Sequence, residues 1–370
     1  MAEASAAALL RTPLYDEHLA CKARMCGFGG WDMPLTYEGQ LVEHKAVRTG
    51  VGMFDVSHMG QVRFTGKDAL NYLQHLVPAD IGALRNGQSK YTQLVNERGG
   101  CVDDLIISKL ADEEYFAVVN ASTRPNDVRW MRAKRTEMNA DYVKIEDESD
   151  KWGMIAVQGP RAFEILNKLI HGEWEKTPAL TMHHFTHDGQ PHLLSRTGYT
   201  GEVGAEILCP AELTAGWWRI LLAEGVTPCG LASRDSLRLE AGYCLYGSDL
   251  DMTTSPVEAG LSWSVGWKKV EQFTGRAVLE KQKANGAPRK LIGLKIQGRK
   301  PLRHGDVILG DGEPIGDVTS GGYSPMLECG IAMGYVETGA EVMALSVETK
   351  TAPLHATLVK PPFVKTSLSK

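Results

Sequence analysis

A chain of 370 residues has room for two or three domains at roughly 150 residues each and for a core that encloses a concave site, which excludes a disulfide miniprotein or a lone binding module. With 43% apolar and 23% charged residues, and 39 Gly and 17 Pro spread along its length, it is neither fibrous nor disordered. Lys and Arg number 40 against 45 Asp and Glu, a net charge of -5, so no global field attracts a polyanion, and neither nucleic acid nor an anionic membrane is an expected partner.

Met1–Leu10 is Ala-rich but carries Glu3, is too short for a signal peptide, and reads as the stump of a removed organellar presequence. A Gly-rich turn, Gly27-Phe28-Gly29-Gly30, precedes a helical stretch from Glu38 with Leu41, Val42, Ala46 and Val47 at helical spacing and Gly50 as its stop. Next, Gln61–Phe64 alternates, and Lys67–Val77 puts Ala69, Leu70, Leu73, Leu76 and Val77 on one helical face. Tyr91–Val95, Cys101–Leu110 and Tyr115–Asn120 read as strands, Arg124–Met138 as a helix and Tyr142–Ile145 as a closing strand. That β-α-β-β-β-α-β order predicts a ferredoxin-like unit with one added strand, its antiparallel sheet covered by helices on one face.

A similar grammar returns without a sequence repeat. A strand at Met154–Gln158 leads to a helix at Pro160–Leu169, strands near Leu193–Arg196 and Ala205–Cys209, and helices at Ala211–Ala223 and Leu231–Ala241. After about Pro288 short β runs punctuated by Gly and Pro (Leu291–Ile296, Val307–Leu309, Ile331–Tyr335, Val342–Val347) predict a small barrel or sandwich. The seven cysteines include no CxxC and sit among apolar neighbours, as reduced, partly buried thiols do. No apolar run approaches the roughly 18 residues that cross a bilayer as a helix.

Three stretches could carry chemistry. In Asn96–Ile107, Gly99-Gly100 makes a hairpin turn, and the next strand holds Asp103 and Asp104 inside an apolar run. Alternation groups Asp104 with Val102 and Ile106, and Asp103 with Leu105 and Ile107, so both faces are buried. A buried carboxylate costs several kcal/mol unless paired, so at least one of the two needs a partner, a ligand or a raised pKa, the alternative being a cap on backbone N–H groups near the turn. In Ser195–Glu206, Gly198, Gly201 and Gly204 would let backbone approach a ligand, Tyr199 offers a stacking face, and Glu202 or Glu206 a two-oxygen acceptor; a hairpin with solvated acids is the alternative. On the Leu231–Ala241 helix Arg234 and Arg238 lie one turn apart, suited to a ligand carboxylate or carbonyl, although Asp235 can pair with Arg238. The histidines lack metal-ligand spacing, no phosphate loop or GxSxG occurs, and the basic side of the 124–138 helix reads as a solvated face or a docking patch for an acidic partner.

Taken together, these segments resemble a known family. Arg11-Thr12-Pro13-Leu14-Tyr15, Gly30-Trp31-Asp32-Met33-Pro34, Phe54-Asp55-Val56-Ser57-His58-Met59-Gly60, Gly99-Gly100 through Ile106, Gln158-Gly159-Pro160, Arg196–Glu202, Arg234–Gly242, Leu245-Tyr246-Gly247 and Thr319-Ser320-Gly321 occur in the order and spacing of the aminomethyltransferases, the T-proteins of the glycine cleavage system. The resemblance runs from about residue 11 to 364. It implies an α+β, three-domain cloverleaf around a central cavity: a discontinuous folate-binding domain (1–57 and 147–252), a ferredoxin-like domain (58–146) and a C-terminal β-barrel (253–370). It also implies tetrahydrofolate as co-substrate, and a transient partner, the lipoylated H-protein, whose lipoyl arm delivers an aminomethyl group. The products are 5,10-methylenetetrahydrofolate, ammonia and the dihydrolipoyl carrier.

By that resemblance Asp104 is the catalytic carboxylate beside folate N5 and N10, managing protons and stabilising iminium character on the methylene carbon. Glu206 is the acceptor for the pterin donors, Arg234 the arginine of the folate site and Tyr199 an aromatic in the cavity; Tyr91, Val118 and Asn120 line it, with Met59 and Trp263 as further candidates. Two positions depart from some members: Ser108 replaces an aromatic, and Thr366-Ser367-Leu368 lacks their tyrosine or arginine near folate. Other readings of the fold remain: a folate protein of iron–sulfur assembly, whose Lys-Gly-Cys-Tyr-x-Gly-Gln run is missing here; the C-terminal module of a flavin-dependent dimethylglycine or sarcosine dehydrogenase, although a chain starting at Met1 is expected to lack the flavin domain; a folate-dependent sulfonium demethylase; or a non-catalytic folate carrier. Several motifs resemble eukaryotic versions, which places the chain by analogy in the mitochondrial matrix, or in the cytoplasm if it is prokaryotic. It is expected to be a monomer.

Overall fold

Four sheets organise the residues described by the computed structural model, 8–339, 344–349 and 352–368. The ferredoxin-like expectation fits one of them. Strands Ser89–Val95, Cys101–Ala111, Glu114–Val119, Gly60–Thr65 and Lys144–Asp147 lie side by side in that order, every neighbouring pair antiparallel. Helices Ala69–Leu76 and Arg124–Glu137 cover one face, where Tyr72, Leu73, Leu76, Val128 and Met131 pack on Val62, Phe64, Leu105, Ile107 and Ala117. The opposite face carries Phe116 and Val118, which pack in one cluster with Phe54, Met154 and Leu208 of the six-stranded sheet. The ferredoxin-like sheet is therefore covered on both faces, as the apolar run around the two aspartates requires.

The six-stranded sheet runs Met182–His187, Gln190–Ser195, Gly204–Pro210, Trp152–Gln158, Gly52–Asp55, Thr227–Pro228. Gly52–Asp55 precedes the ferredoxin-like unit in the chain and Trp152–Gln158 follows it, yet the two pair antiparallel from Gly52↔Gln158 to Asp55↔Ile155. The chain thus returns to where it left, and everything between is inserted at one edge of a strand pair. Helices Ala162–Ile170 and Thr214–Ala223 bury Phe163, Leu166, Trp217 and Trp218 in the core of this sheet. Its edge strand, Met182–His187, is missing from the sequence reading because His183, His184 and His187 leave no apolar alternation.

After residue 288 the structure is a closed six-stranded barrel, Arg289–Ile296, Cys329–Glu337, Glu313–Ser324, Val307–Gly310, Leu345–Glu348 and Leu354–Val359, filled by Leu294, Ile296, Ile308, Val318, Ala332 and Val347. It resolves the barrel-or-sandwich alternative. Of the run expected at 342–347, residues 342 and 343 lie outside the described residues, as do residues 1–7 of the expected presequence stump. Glu313–Ser324, the longest barrel strand, escapes the sequence reading because of its Gly, Pro and Asp content; it tolerates them through a register shift between Val318 and Ser320.

Each lobe touches the other two, which closes a ring. Met182 N–H donates to Gly87 O and Ser89 N–H to Leu180 O, both at 2.8 Å. Cys101 N–H donates to Thr254 O at 3.0 Å and Asn96 Nδ2 to Met252 O at 2.8 Å. Arg238 Nη2 donates to Ser320 Oγ at 2.9 Å, and Tyr335 Oη to Asp249 O at 2.8 Å. The buried Lys269 Nζ ties its loop to the ferredoxin-like unit through Gln74 O at 2.5 Å, Val77 O at 2.6 Å and Ala79 O at 3.1 Å. At the Gly99-Gly100 turn a Cβ on Gly100 would stand 1.9 Å from Met252 O, so only glycine lets the aspartate strand start this close to the 252–254 loop. Gly100→Ala is expected to cost about 2–3 kcal/mol by overpacking, read from urea unfolding; an unchanged midpoint would show that the loop yields freely.

Candidate active site

Alternation along Cys101–Ala111 sends its two aspartates to opposite faces. Asp103 turns to the helix-covered face and is fully buried. Asp104 turns the other way, cross-strand from Gln93, and keeps a little accessible surface although protein surrounds it, as a group at the bottom of a recess does. Tyr91 Oη donates to Asp104 Oδ2 at 2.9 Å, and Asn120 Nδ2 donates to Oδ1 at 2.8 Å. The Asn120 amide also reaches Asp103 Oδ1 at 2.9 Å, while its backbone N–H donates to Asp103 Oδ2 at 3.0 Å. Burial, reinforced by the Asp103 carboxylate, pushes Asp104 up to about 7 against the pull of those two hydrogen bonds. Burial, then the Asp104 charge, lifts the Tyr91 phenol well above its ordinary value, so Tyr91 stays a donor at neutral pH.

Around this carboxylate the expected lining residues gather. Val118 pairs with Ile106 on the same face, and Met59 packs against the cluster that holds Val118. Trp263, on the short turn Ser262–Ser264, is 66% exposed and stacks on Tyr91 with ring centroids 5.7 Å apart and planes 25° apart. An exposed tryptophan lying on the phenol that holds Asp104 puts a solvent-facing aromatic surface one ring away from this carboxylate.

A second group stands on the six-stranded sheet and the helix beside it. Glu206, on Gly204–Pro210, is almost wholly buried and accepts from Thr197 Oγ1; burial raises its carboxyl, opposed by Thr197 and by the Arg234 charge. Arg234 lies between two aromatic faces, its Cζ 4.9 Å from the Tyr199 centroid and 5.9 Å from that of Phe54. Among the described residues its buried Nη1 has no hydrogen-bond partner, and burial lowers its pKa. Tyr199 donates its hydroxyl to Cys244 O and feels the Asp104 charge, which links this group to the first. The group thus presents a buried carboxyl acceptor, a guanidinium with a free N–H and two aromatic faces, the chemistry that hydrogen-bonds and stacks on a flat heterocycle.

Other candidates have structural duties. Glu202 pairs with Arg48 at 2.9 Å, and Arg238 with Asp235 at 2.7 Å and Asp249 at 2.9 Å, so neither is free for a ligand. The three glycines do not bring backbone to a ligand. A Cβ on Gly198 would meet Gln158 Oε1 at 2.0 Å, on Gly201 Ala241 Cβ at 2.8 Å, and on Gly204 Val157 O at 2.1 Å; protein fills those spaces. The hairpin turn is capped by Asn96 Oδ1, which accepts from Arg98 and Gly100 N–H, and not by the aspartates. On the basic helix Arg124 pairs with Asp147 and Asp150, and Lys134 with Glu97 and Glu137. No group of His, Cys, Asp and Glu that could hold a metal occurs among the described residues, and all seven cysteines are free.

The raised carboxyl has a thermodynamic signature. A folded-state value of about 7 against about 3.9 in the unfolded chain means that ionised Asp104 destabilises the fold; the cost is absent below about pH 4, grows with pH and is complete above about pH 7. Asp104→Asn is therefore expected to raise the melting temperature by a few degrees at about pH 8 and by less at about pH 5.5. An equal shift at both, or a loss at pH 8, would contradict a strained carboxylate.

The chain matches two family descriptions, "GCVT N-terminal domain" over residues 14–269 and "Glycine cleavage T-protein C-terminal barrel domain" over 289–365. It is 42% identical to an aminomethyltransferase of Nostoc sp. over 98% of both chains, and 43% identical to one of Legionella pneumophila over 96% of this chain and 98% of the relative. Its fold superposes with a TM-score of 0.89 on the crystal structure of glycine cleavage system aminomethyltransferase T from Bartonella henselae, at 35% identity over 96% and 98% of the two chains. These relatives are bacterial and lend no support to a mitochondrial placement. Matching domains at both ends and identity carried through the whole length leave one assignment: the chain belongs to the aminomethyltransferase family, the T-proteins of the glycine cleavage system.

Proposed function

We propose that the chain transfers the methylene carbon of an aminomethyl group, carried on the lipoyl arm of H-protein, to tetrahydrofolate, with Asp104 as the reactive carboxylate. The observation that carries this reading is a recessed carboxylate oriented by two neutral donors, Tyr91 at 2.9 Å and Asn120 at 2.8 Å, with no cation among those hydrogen-bond partners. Tetrahydrofolate supplies two nucleophilic nitrogens. Their protons must leave as the methylene bridge closes, one to the departing ammonia and one to the lipoyl thiol. A carboxyl poised near neutrality both accepts and returns a proton, and its charge stabilises positive charge developing on the transferred carbon.

In this reading the lobes divide the work. Residues 1–57 and 147–252 bind the folate: Glu206 accepts from the pterin edge, Arg234 donates its free N–H, and Tyr199 lies along the ring. The unit 58–146 contributes Asp104, Tyr91, Asn120, Val118 and Met59, while residues 253–370 contribute Trp263. Burial of Glu206, the orphan Nη1 of Arg234 and the stacking of Trp263 on Tyr91 support these roles. The ring of lobes keeps the transferred carbon from bulk water, which would otherwise hydrolyse it. The chain acts as a monomer that meets its carrier transiently.

Asp104→Ala is expected to abolish methylenetetrahydrofolate synthesis with the lipoylated carrier while folate binding stays near the unmodified level; ammonia release with and without tetrahydrofolate measures it, and full turnover would remove Asp104 from the mechanism. Glu206→Ala should instead weaken folate binding at least about tenfold, about 1.4 kcal/mol, by calorimetric titration. Unchanged affinity would move the pterin elsewhere.

A further inference from the structure

Behind Asp104 stands a pair of carboxyl groups that the transfer just described does not use. Asp103 and Asp127, the latter in the first turn of helix Arg124–Glu137, are both fully buried. The groups that donate to Asp103 are neutral: the backbone N–H and Nδ2 of Asn120 at 3.0 and 2.9 Å, with the Thr123 hydroxyl acting in the same sense. Neither side-chain oxygen of Asp127 has a well-formed hydrogen-bond partner among the described residues, and the one hydroxyl that acts on it, Thr123 a turn back on the helix, is neutral. The start of the helix brings them together: Arg124 N–H donates to Asn120 O at 3.0 Å and Asp127 N–H to Thr123 O at 2.9 Å, so Asp127 follows directly on the residue whose donors hold Asp103, and each carboxyl acts on the other. Two buried carboxylates that act on each other, without Lys or Arg among those partners, do not both ionise, so one proton resides between them and the pair carries one negative charge. Asp103 accepts both Asn120 donors and Asp127 accepts neither, which places the charge on Asp103 and the proton on Asp127; burial and the neighbouring Asp103 raise the Asp127 carboxyl in the same sense.

That charge sits one residue from the reactive group, and Asn120 Nδ2 spans the gap, 2.9 Å from Asp103 Oδ1 and 2.8 Å from Asp104 Oδ1. Tyr91, Cys101, Tyr199, Cys244 and Tyr246, from the surrounding strands and loops, also act on this corner; burial raises each, so all are neutral at neutral pH. The five cations of the Asp127 helix are engaged elsewhere: Arg124 with Asp147 and Asp150, Arg129 with Asn126 Oδ1, Lys134 with Glu97 and Glu137, and Arg135 with the carbonyls of Ala140 and Asp141, while Arg132 is exposed. Arg234 and Arg238 act on Tyr199 beyond it.

We propose that Asp103 and Asp127 are a proton-sharing pair of positioning residues, whose single fixed negative charge, tied to Asp104 through Asn120, keeps the reactive carboxyl able to take up a proton during turnover. The inference rests on Asp104 being the reactive group. Burial already raises the Asp104 carboxyl, and a like charge held close, in a site that water does not screen, raises it further, towards the range in which it both releases and recovers a proton at neutral pH.

The test follows Asp104 in the full chain without substrates, by NMR titration of carboxyl-labelled aspartate assigned through Asp104→Asn, alongside the pH profile of methylene transfer. Asp127→Asn keeps a donor to Asp103 and the single charge, so the Asp104 midpoint should hold. The double variant Asp103→Asn/Asp127→Asn removes the charge, and the midpoint should fall by about one pH unit or more, a tenfold loss of proton affinity, with the acid limb of the rate moving alongside. A midpoint that stays in the double variant, or moves as far in Asp127→Asn alone, overturns the pair. A midpoint that moves while the rate profile stays overturns the assignment of Asp104 as the reactive group instead. Should the double variant fail to fold, infrared spectra at about pH 8.5 decide: a protonated-carboxyl band is expected in the unmodified chain, retained in Asp104→Asn and lost in Asp127→Asn. Absence of that band from the unmodified chain overturns the proposal.

Discussion

The structure turns on one amide side chain, Asn120, which hydrogen-bonds two consecutive aspartates pointing to opposite faces of a sheet. Consecutive strand residues normally have separate fates, one in the core and one on the far side. Because Asn120 follows the end of strand Glu114–Val119, next to the aspartate strand, its Nδ2 reaches the carboxyls of both. A sheet covered on both faces then keeps two charges and a protonated acid away from water, a costly arrangement that the surrounding hydrogen bonds only partly offset. Proteins retain such unfavourable groups where chemistry requires them.

The rest of the molecule holds that arrangement against the folate-side residues. Arg48 bonds Glu240 at 3.0 Å and Glu202 at 2.9 Å, while His44 Nε2 and Ser324 Oγ reach Glu240 at 2.9 and 2.5 Å. This buried network fastens the helix that carries Arg234 to the barrel and to the loop that carries Tyr199. Arg238, two residues earlier on the same helix, also ties it to the barrel, through Ser320 and Asp249. Removing one partner from such networks leaves an uncompensated buried charge, so they specify geometry more than they add stability. Two arginines four residues apart on one helix thus have opposite fates: Arg238 is saturated by protein, and Arg234 keeps an unsatisfied N–H.

Much of this is legible in the sequence. The helix over residues 231–241 and the order of elements from 60 to 147 follow from periodicity and from turn residues, which are local properties. The apolar run around Asp103 and Asp104 announces two buried carboxyls because alternation is also local. The return of Trp152–Gln158 to Gly52–Asp55 is not legible from pattern, since it depends on pairing across an inserted unit. Nor is Asp127, which lies on a helix whose charges read as solvated; one buried acid among arginines and lysines leaves no trace in composition. Glycines 198, 201 and 204 mislead because close packing against protein and close approach to a ligand demand the same residue.

Methylene transfer by Asp104 requires a reduced folate to sit against its carboxylate. A crystal structure of the chain with tetrahydrofolate bound tests this directly. N5 or N10 is expected within about 3.5 Å of an Asp104 carboxylate oxygen, with the pterin edge on Glu206. A folate seated outside the ring of lobes, with Asp104 facing only water, would contradict it.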